Sequence, residues 1–299
     1  MKKLYTVLVV VIAASLLLAA CGGAGGGGKD LLGAIKARGY ILVSTDPNYE
    51  PQSFLNTNGK RPANTKCPAD ALTTAEMQGF DVDVAKAIGD DLGVETCFAT
   101  PSWEAITAGN WADKWDISVG SMAIKPARQQ VLNFSVPYYY TPAVVAVGKD
   151  ATFTSLNDLA GQALCVGSAT TYDDWLNGKL DLRPSDIYAQ PPANVKVVSL
   201  ETDQECAQAI ASGRKDFVGY VTSITVVNAN IAAGLPVKQL GQPVFIENLA
   251  AAFDKASTLN SDSLRAEVDK LFTAMHSDGR LTALSNQWFK MDLTQAPSK

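Results

Sequence analysis

Most of the chain alternates short apolar runs with segments of helical periodicity. Apolar, β-branched runs occur in "YILVST", "WDISVGSM", "AVVAVG", "ALCVGS", "VKVVSL" and "DFVGYV", and each predicts a buried strand. After the first of them, "FDVDVAKAIGDDLGV" repeats apolar residues every four positions from Phe80 to Leu92 and then reaches Gly93, a typical helix stop. Strands that alternate with helices in this way predict an α/β fold.

Further helices are predicted late in the chain, and one long loop early in it. "ETDQECAQAIASG" has Thr202 and Glu205 at the spacing of a capping box. The polar stretch 56–78 predicts a long loop, which Cys67 tethers. Before Gly279, one apolar helical face collects Leu264, Val268, Leu271, Phe272 and Met275.

The first twenty residues, "MKKLYTVLVVVIAASLLLAA", join two lysines to an apolar run and then to small residues before Cys21. This order predicts a secretory signal at residues 1–20. The stretch "LAAC" resembles a bacterial lipobox, in which the cysteine, here Cys21, is acylated and becomes the mature N-terminus. A transmembrane anchor is the alternative, but the run is shorter than the roughly 20 apolar residues that a span needs.

Residues 21–28 are almost entirely glycine, which predicts a flexible tether. The folded part then starts near Lys29, beside a membrane. We therefore expect an extracytoplasmic protein that a lipid on Cys21 holds on a bacterial membrane.

Composition bounds the remaining possibilities. The chain has 299 residues and a net charge of −5, and about 270 residues remain after the signal and tether, enough for two lobes. The basic residues are scattered, which argues against nucleic acid as a partner. Four further cysteines, an even number in an oxidising compartment, allow three disulfide pairings, with four free buried thiols as the alternative. No C-x-x-C spacing occurs, so no metal site is expected. These cysteines are Cys67, Cys97, Cys165 and Cys206.

Six segments together resemble one known family, the extracytoplasmic solute-binding proteins of ABC importers, family 3, the polar amino-acid type. The resemblance implies a type II periplasmic-binding fold, in which two α/β lobes joined by two crossover strands close on a ligand. Lobe 1 would comprise 29–140 and 248–299, and lobe 2 would comprise 141–247. It also implies a monomer without a cofactor that delivers its ligand to an ABC permease. The segments are "GFDVDVAKAIGDDLG", "WEAITAGNWADKWDISVGSM", "KPARQQVLNFSVPYYY", "SLNDLAGQALCVGSATT", "SGRKDFVGY" and "DGRLTALSNQWF".

Arg128 is the main candidate for ligand binding. Ligands of open α/β sheets lie at the carboxyl ends of strands, and Arg128 closely follows "DISVGSM". Its guanidinium fork matches a carboxylate, so Arg128 is predicted to hold an anionic group of the ligand. A solvated or structural arginine is the alternative.

The resemblance assigns other positions to the site. Tyr49 and Trp103 match the aromatic residues that sandwich the ligand, although aromatic rings more often belong to a core. Asp46 is expected at the distal part of the ligand. The remaining assignments are the backbone of Ser121 and Ala123, and N–H and hydroxyl donors from Ser168, Thr170 and Thr171, for which a plain helix N-cap is the alternative.

One departure from the family pattern concerns the ligand's α-ammonium group. The family has an acidic residue at the position of Val221, and an unpaired ammonium in a closed cleft would be costly. Asp173 or Glu50 would replace it, or the ligand is not an ordinary α-amino acid. An amine caged by Tyr49, Trp103 and a nearby tyrosine is then conceivable.

Two other functions remain as alternatives. Some secreted proteins of this fold dehydrate a cyclic acid, but the one histidine, His276, follows a C-terminal helix and no G-x-S-x-G motif occurs. A ligand-sensing module for a membrane receptor is the other. We expect a binding protein and not an enzyme.

The implied lobes also favour one pairing of the cysteines. A bridge between lobes would block the hinge motion that closes the cleft. The favoured pairs, each within one lobe, are Cys67–Cys97 and Cys165–Cys206.

Overall fold

A computed structural model describes residues 30–296, and it confirms the α/β fold. The predicted signal, Cys21 and the glycine-rich tether lie outside the described residues. Within the described part, no helix is long and apolar enough to cross a membrane. The helices are α1 (Leu31–Arg38), α2 (Phe80–Leu92), α3 (Trp103–Thr107), α4 (Pro126–Val131), α5 (Thr171–Leu176), α6 (Asp203–Ala211), α7 (Ile224–Ala232), α8 (Asp262–Ser277) and α9 (Arg280–Phe289).

The strands form one large sheet and one small one. The large sheet has the order β11-β10-β12-β9-β13-β7-β1-β6-β4, with β8 also paired to β13, and the small sheet has the order β2-β3-β5. The strands are β1 (Tyr40–Ser44), β2 (Asn48–Tyr49), β3 (Ser53–Leu55), β4 (Leu72–Thr73), β5 (Met77–Gln78), β6 (Glu95–Ala99), β7 (Ile117–Ala123), β8 (Leu132–Phe134), β9 (Tyr139–Gly148), β10 (Ala163–Gly167), β11 (Lys196–Leu200), β12 (Gly219–Ser223) and β13 (Val237–Asp254).

Two long antiparallel strands, β9 and β13, connect the lobes. Tyr139 and Leu249 pair with each other and pack in the core of lobe 1. Further along the same two strands, Ala143 and Phe245 pair and pack in a core of lobe 2. The two predicted crossover strands of the type II fold are therefore confirmed. Along both strands, the packing passes from the lobe 1 core to the lobe 2 core next to the predicted boundaries at 140 and 248. The boundaries themselves stay predictions.

Local sequence signals explain the helix boundaries. α2 buries the apolar face that begins with Phe80. The helix is capped by Gly93, whose φ of 70° is left-handed. α6 begins at the predicted capping box, in which the Thr202 hydroxyl accepts from the Glu205 N–H and the Glu205 carboxylate accepts from the Thr202 N–H. The apolar face predicted before Gly279 is the buried face of α8.

Both predicted disulfides are confirmed. The Cys67–Cys97 bond joins the long loop to β6, with 5.4 Å between the Cα atoms. Arg61 also fastens this loop, because its guanidinium donates to the carbonyls of Cys67 and Ala71 at 2.7 and 2.6 Å. The Cys165–Cys206 bond joins β10 to α6, with 5.7 Å between the Cα atoms. Each disulfide therefore lies within one lobe.

Candidate ligand-binding site

A cavity lies between the lobes at the strand ends, and both lobes supply its walls. The predicted residues that line it are Asp46, Tyr49, Trp103, Ser121, Arg128, Thr170 and Thr171. The lining residues that the sequence did not reveal are Gly120, Gly167, Tyr172, Glu201, Thr202, Asp203 and Glu247.

Arg128 is a buried cation at this cavity. Only 4% of it is exposed. Its Nη1 and Nη2 donate to the carbonyls of Ala123 and Ala169 at 3.2 and 3.1 Å, and the guanidinium carbon lies 5.3 Å from the Trp103 ring centre. Its Nε has no hydrogen-bond partner within residues 30–296. Burial lowers the pKa of Arg128 to about 10, so the group stays charged at neutral pH. The arrangement suits an anionic ligand group.

Asp203 provides a buried carboxylate on the lobe 2 wall. Its Oδ1 accepts from the Gly167 N–H at 2.8 Å and its Oδ2 accepts from the Thr222 hydroxyl at 2.7 Å. Burial raises the pKa of Asp203 to about 7, opposed by these hydrogen bonds and reinforced by the negative charges of Asp46 and Glu247. Because its charged neighbours are themselves carboxylates, Asp203 is suited to receive a cationic ligand group.

Glu247 is a second buried carboxylate, on the crossover strand β13. The hydroxyls of Thr171 and Tyr172 each donate to one of its oxygens, the latter at 2.8 Å. Burial raises the pKa of Glu247, whereas these bonds and the charges of Arg128 and Lys125 lower it. Glu247 therefore balances positive charges of the protein, whereas the charges that act on Asp203 in the described part of the chain come from the acids Asp46 and Glu247.

Several contacts cross from one lobe to the other around the cavity. Lys125 of lobe 1 forms an ion pair with Asp174 of α5. On the other side, the Gln52 side chain donates to the Thr225 hydroxyl at 2.6 Å, and the Tyr49 and Tyr172 hydroxyls lie 3.2 Å apart. The lobes are thus closed on each other.

Ser121 is held from behind by a buried polar network. Its φ of 55° is left-handed, which is unfavourable for serine and costs on the order of 1–3 kcal/mol. Its N–H donates to the Tyr138 hydroxyl at 2.9 Å, and its own hydroxyl donates to Asp81 at 2.6 Å. The Tyr138 hydroxyl donates in turn to Asp81 at 2.7 Å. These bonds fix the cavity wall and engage the Ser121 N–H within the protein.

Thr170 and Thr171 reach the cavity, yet their hydroxyls are used within the protein. Thr170 is the N-cap of α5: its hydroxyl accepts from the Asp173 N–H at 3.1 Å and donates to the Gly167 carbonyl at 2.7 Å. Thr171 donates to Glu247. The N-cap alternative therefore describes the Thr170 side chain.

Three predicted site residues do not line the cavity. The Ala123 methyl group is buried in the lobe 1 core, and its carbonyl holds Arg128. The N–H of Ser168 donates to the Leu200 carbonyl at 2.9 Å, which extends the pairing of β10 with β11. Val221 packs in a lobe 2 core because successive strand side chains point to opposite faces, and its neighbour Thr222 is the one that faces Asp203.

The two acids expected to replace the family's carboxylate lie elsewhere. Glu50 is exposed, and Asp173 bonds to the side chains of Asn177 and Ser199. Asp203 and Glu247 lie at the cavity instead. Asp203 was hidden in a segment that predicts only a capped helix, whereas Glu247 carried a signal, a charge inside the apolar run "PVFIENLAAAF".

Together, the two lobes, the crossover strands and the charged interlobe cavity define a protein that encloses a small solute by closure. The sequence matches the family described as bacterial extracellular solute-binding proteins, family 3, over residues 41–291. The chain belongs to this family, whose members act outside the cytoplasm. Its curated relatives are amino-acid-binding proteins of ABC transporters.

Individual relatives share about a quarter of the sequence. The L-cystine-binding protein TcyJ of Escherichia coli K12 is 27% identical over 267 residues, which are 89% of this chain and 88% of that protein. The ABC transporter arginine-binding protein 1 of the same organism is 26% identical, with coverage of 72% and 82%. The crystal structure of the ancestral amino acid-binding protein AncCDT-1, a precursor of cyclohexadienyl dehydratase, is 27% identical, with a TM-score of 0.69 and coverage of 86% and 99%.

Proposed function

We propose that this protein is a lipid-anchored solute-binding protein that captures an amino-acid-like solute and delivers it to an ABC permease. One observation carries the proposal: within residues 30–296, a buried arginine with an unpaired Nε, Arg128, and a buried carboxylate whose charged neighbours are acidic, Asp203, line the same cavity. An α-amino acid presents a carboxylate and an ammonium group, which complement these two charges.

In this proposal, Asp203 takes the role of the acid that is missing at Val221. The ammonium group of the ligand binds the Asp203 carboxylate, while Arg128 binds the ligand's carboxylate. Tyr49 and Trp103 form the aromatic walls against the ligand's stem, as the sequence predicts.

The charges around Asp46, which is expected at the distal part of the ligand, favour a ligand with a second positive group. Burial raises the pKa of Asp46, and the charges that act on it come from Glu201 and Glu205, which are also acidic. A cationic ligand side chain relieves this repulsion. Basic amino acids such as L-arginine are therefore our preferred candidates.

A thermal-shift screen followed by calorimetry tests the proposal, because a ligand that binds only the folded state raises its stability. We expect L-arginine, L-lysine and L-ornithine to raise the melting temperature more than L-glutamate. Agmatine, which is arginine without its carboxylate, is the matched control and should give little shift. Equal shifts with agmatine and L-arginine would contradict a carboxylate site.

Arg128→Ala should weaken L-arginine binding by about 2–5 kcal/mol, the usual cost of removing one partner of a buried charge pair. Arg128→Lys keeps the charge and loses the fork, so its affinity should fall between those of the wild type and Arg128→Ala. An unchanged dissociation constant in Arg128→Ala would refute the anion site.

Binding without turnover is part of the proposal. Asp203 and Glu247 each accept two hydrogen bonds from the protein, and these bonds favour their ionised forms. Incubation with cyclohexadienyl acids should leave them unchanged in an NMR assay. The appearance of a dehydrated product would instead support the enzymatic alternative.

A further inference from the structure

The disulfide of lobe 2 joins the two elements that meet at Asp203. Cys165 lies on β10, two residues before the cavity residue Gly167, and Cys206 lies on α6, one turn after Asp203. Both cysteines are fully buried. The bond is therefore adjacent to the contact between the Gly167 N–H and the Asp203 carboxylate, which measures 2.8 Å.

The first turn of helix α6 is held against the sheet by the Cys165–Cys206 bond and by the hydrogen bonds of Asp203 to Gly167 and Thr222. The buried residues of α6 are Asp203, Cys206 and Ala207, and the half-buried Ile210 packs against the same core further along the helix. A strand is fixed in its sheet by a ladder of hydrogen bonds, but a helix that packs on a sheet is fixed only by its side chains. The position of Asp203 thus depends on its own two hydrogen bonds to the sheet and on the disulfide that fixes α6 beside β10.

The fit between β10 and α6 at this point is tight. A Cβ atom added to Gly167 would lie 2.6 Å from Asp203 Oδ1, which is closer than real Cβ contacts. The carboxylate can accept the Gly167 N–H only if the spacing between strand and helix is maintained, and the disulfide bond maintains it across a Cα–Cα distance of 5.7 Å.

We propose that the Cys165–Cys206 disulfide is a positioning element of the ligand site, which holds the Asp203 carboxylate at the cavity wall. The proposal rests on the proposed function, in which Asp203 binds the ligand's ammonium group. The acid that the family carries on β12, at Val221, is here carried on a helix, and the disulfide supplies the anchoring that the sheet no longer provides.

The second disulfide is a matched control. Cys67–Cys97 is also buried and also closes a loop within one lobe, but its neighbours are Ala71, Tyr40 and Leu42, and it contacts no cavity residue within the described part of the chain. Loss of either bond should lower the stability of the protein, because both constrain the unfolded chain. Only loss of Cys165–Cys206 should change the ligand site.

The experiment compares the paired variants Cys165→Ala/Cys206→Ala and Cys67→Ala/Cys97→Ala under conditions where both are folded. Calorimetry with L-arginine should show roughly tenfold weaker binding in the first variant, the lower end of what lost supporting contacts cost at ligand sites, and unchanged binding in the second. Equal affinities in the two variants, or an equal loss in both, would overturn the proposal.

A ligand-free measurement distinguishes positioning from general destabilisation. Burial raises the pKa of Asp203 to about 7, and this value can be followed through its carboxyl carbon by NMR. In Cys165→Ala/Cys206→Ala the carboxylate should move towards water, so the pKa should fall towards 3.8, whereas Cys67→Ala/Cys97→Ala should leave it near 7. A pKa that stays near 7 in both variants would refute the positioning role even if L-arginine binds neither.

Two further variants distinguish a failure of the positioning proposal from a failure of the proposed function. Gly167→Ala leaves the disulfide intact and displaces the Asp203 carboxylate, so it should also bind L-arginine more weakly. This variant can be measured even if Cys165→Ala/Cys206→Ala fails to fold. Wild-type affinity in Gly167→Ala would refute the proposal. Asp203→Asn tests the proposed function itself. If it abolishes L-arginine binding while Cys165→Ala/Cys206→Ala binds like the wild type, only the positioning proposal fails.

Discussion

Two buried aspartates, Asp81 in lobe 1 and Asp203 in lobe 2, have similar chemistry and different places. Each accepts two hydrogen bonds from the protein, and burial raises the pKa of each to about 7. Asp81 lies behind the cavity wall, where Ser121 and Tyr138 cover it. Asp203 lines the cavity.

The difference shows that burial and hydrogen bonding alone do not identify a ligand contact. The negative charge of Asp81 can be stabilised only by the hydroxyl groups that the protein supplies. The charge of Asp203 can also be stabilised by a cation that enters the cleft. The two regions therefore should respond differently to ligand, to pH and to the loss of one donor.

The largest expected effect is that of Asp203→Asn. It removes the proposed partner of the ligand's ammonium group and should weaken L-arginine binding by about 2–5 kcal/mol. Asp81→Asn should mainly lower the free energy of unfolding, because the new NH2 group cannot accept from one of the two hydroxyl donors. It should change the affinity by less than about 1 kcal/mol. Calorimetry and denaturant unfolding of both variants measure this; a similar loss of affinity in both would remove the distinction between the two regions.

A pH series gives the next effect. Both folded-state pKa values are raised above 3.8, so these groups stabilise the unliganded protein fully below that pH, and this stability is lost as the pH rises through about 7. The ammonium group of a ligand favours ionised Asp203, so binding below pH 7 must release its proton. The affinity for L-arginine should therefore fall by up to roughly tenfold for each pH unit below 7.

Variants of the two aspartates show which of them causes this pH dependence. Asp203→Asn should flatten the affinity profile, and Asp81→Asn should leave its slope unchanged. Asp46 and Glu247, whose pKa values burial also raises, contribute to the remaining slope. A profile that Asp81→Asn flattens and Asp203→Asn does not would reverse the assignment.

The smallest effect is expected from the loss of a single hydroxyl donor to a buried aspartate. Thr222→Val and Tyr138→Phe each remove one hydroxyl donor from a buried carboxylate, and each should lower the free energy of unfolding by about 1–3 kcal/mol. Thr222→Val should also raise the pKa of Asp203 and weaken ligand binding at neutral pH, whereas Tyr138→Phe should do neither. Unfolding curves and calorimetry at pH 7 compare the two variants.

The sequence by itself determined the parts of this protein that depend on local patterns. Apolar runs gave six of the strands, although β11 is a partly exposed edge strand and not a buried one, and four-residue periodicity gave α2. The Thr202–Glu205 spacing gave the start of α6, and motif order gave the family and the place of Arg128. These signals are local because hydrogen bonds and side-chain faces within one element fix them.

Only the tertiary structure decided how charge is distributed around the cavity. Asp203 and Glu247 come from a helix start and a crossover strand, and they meet Arg128 because β9 and β13 bring the two lobes together. The contact between Thr222 and Asp203 depends on which face of β12 points to α6, and the raised pKa values depend on burial after closure. Neither property belongs to a segment alone, since burial and long-range contacts exist only once distant parts of the chain have packed.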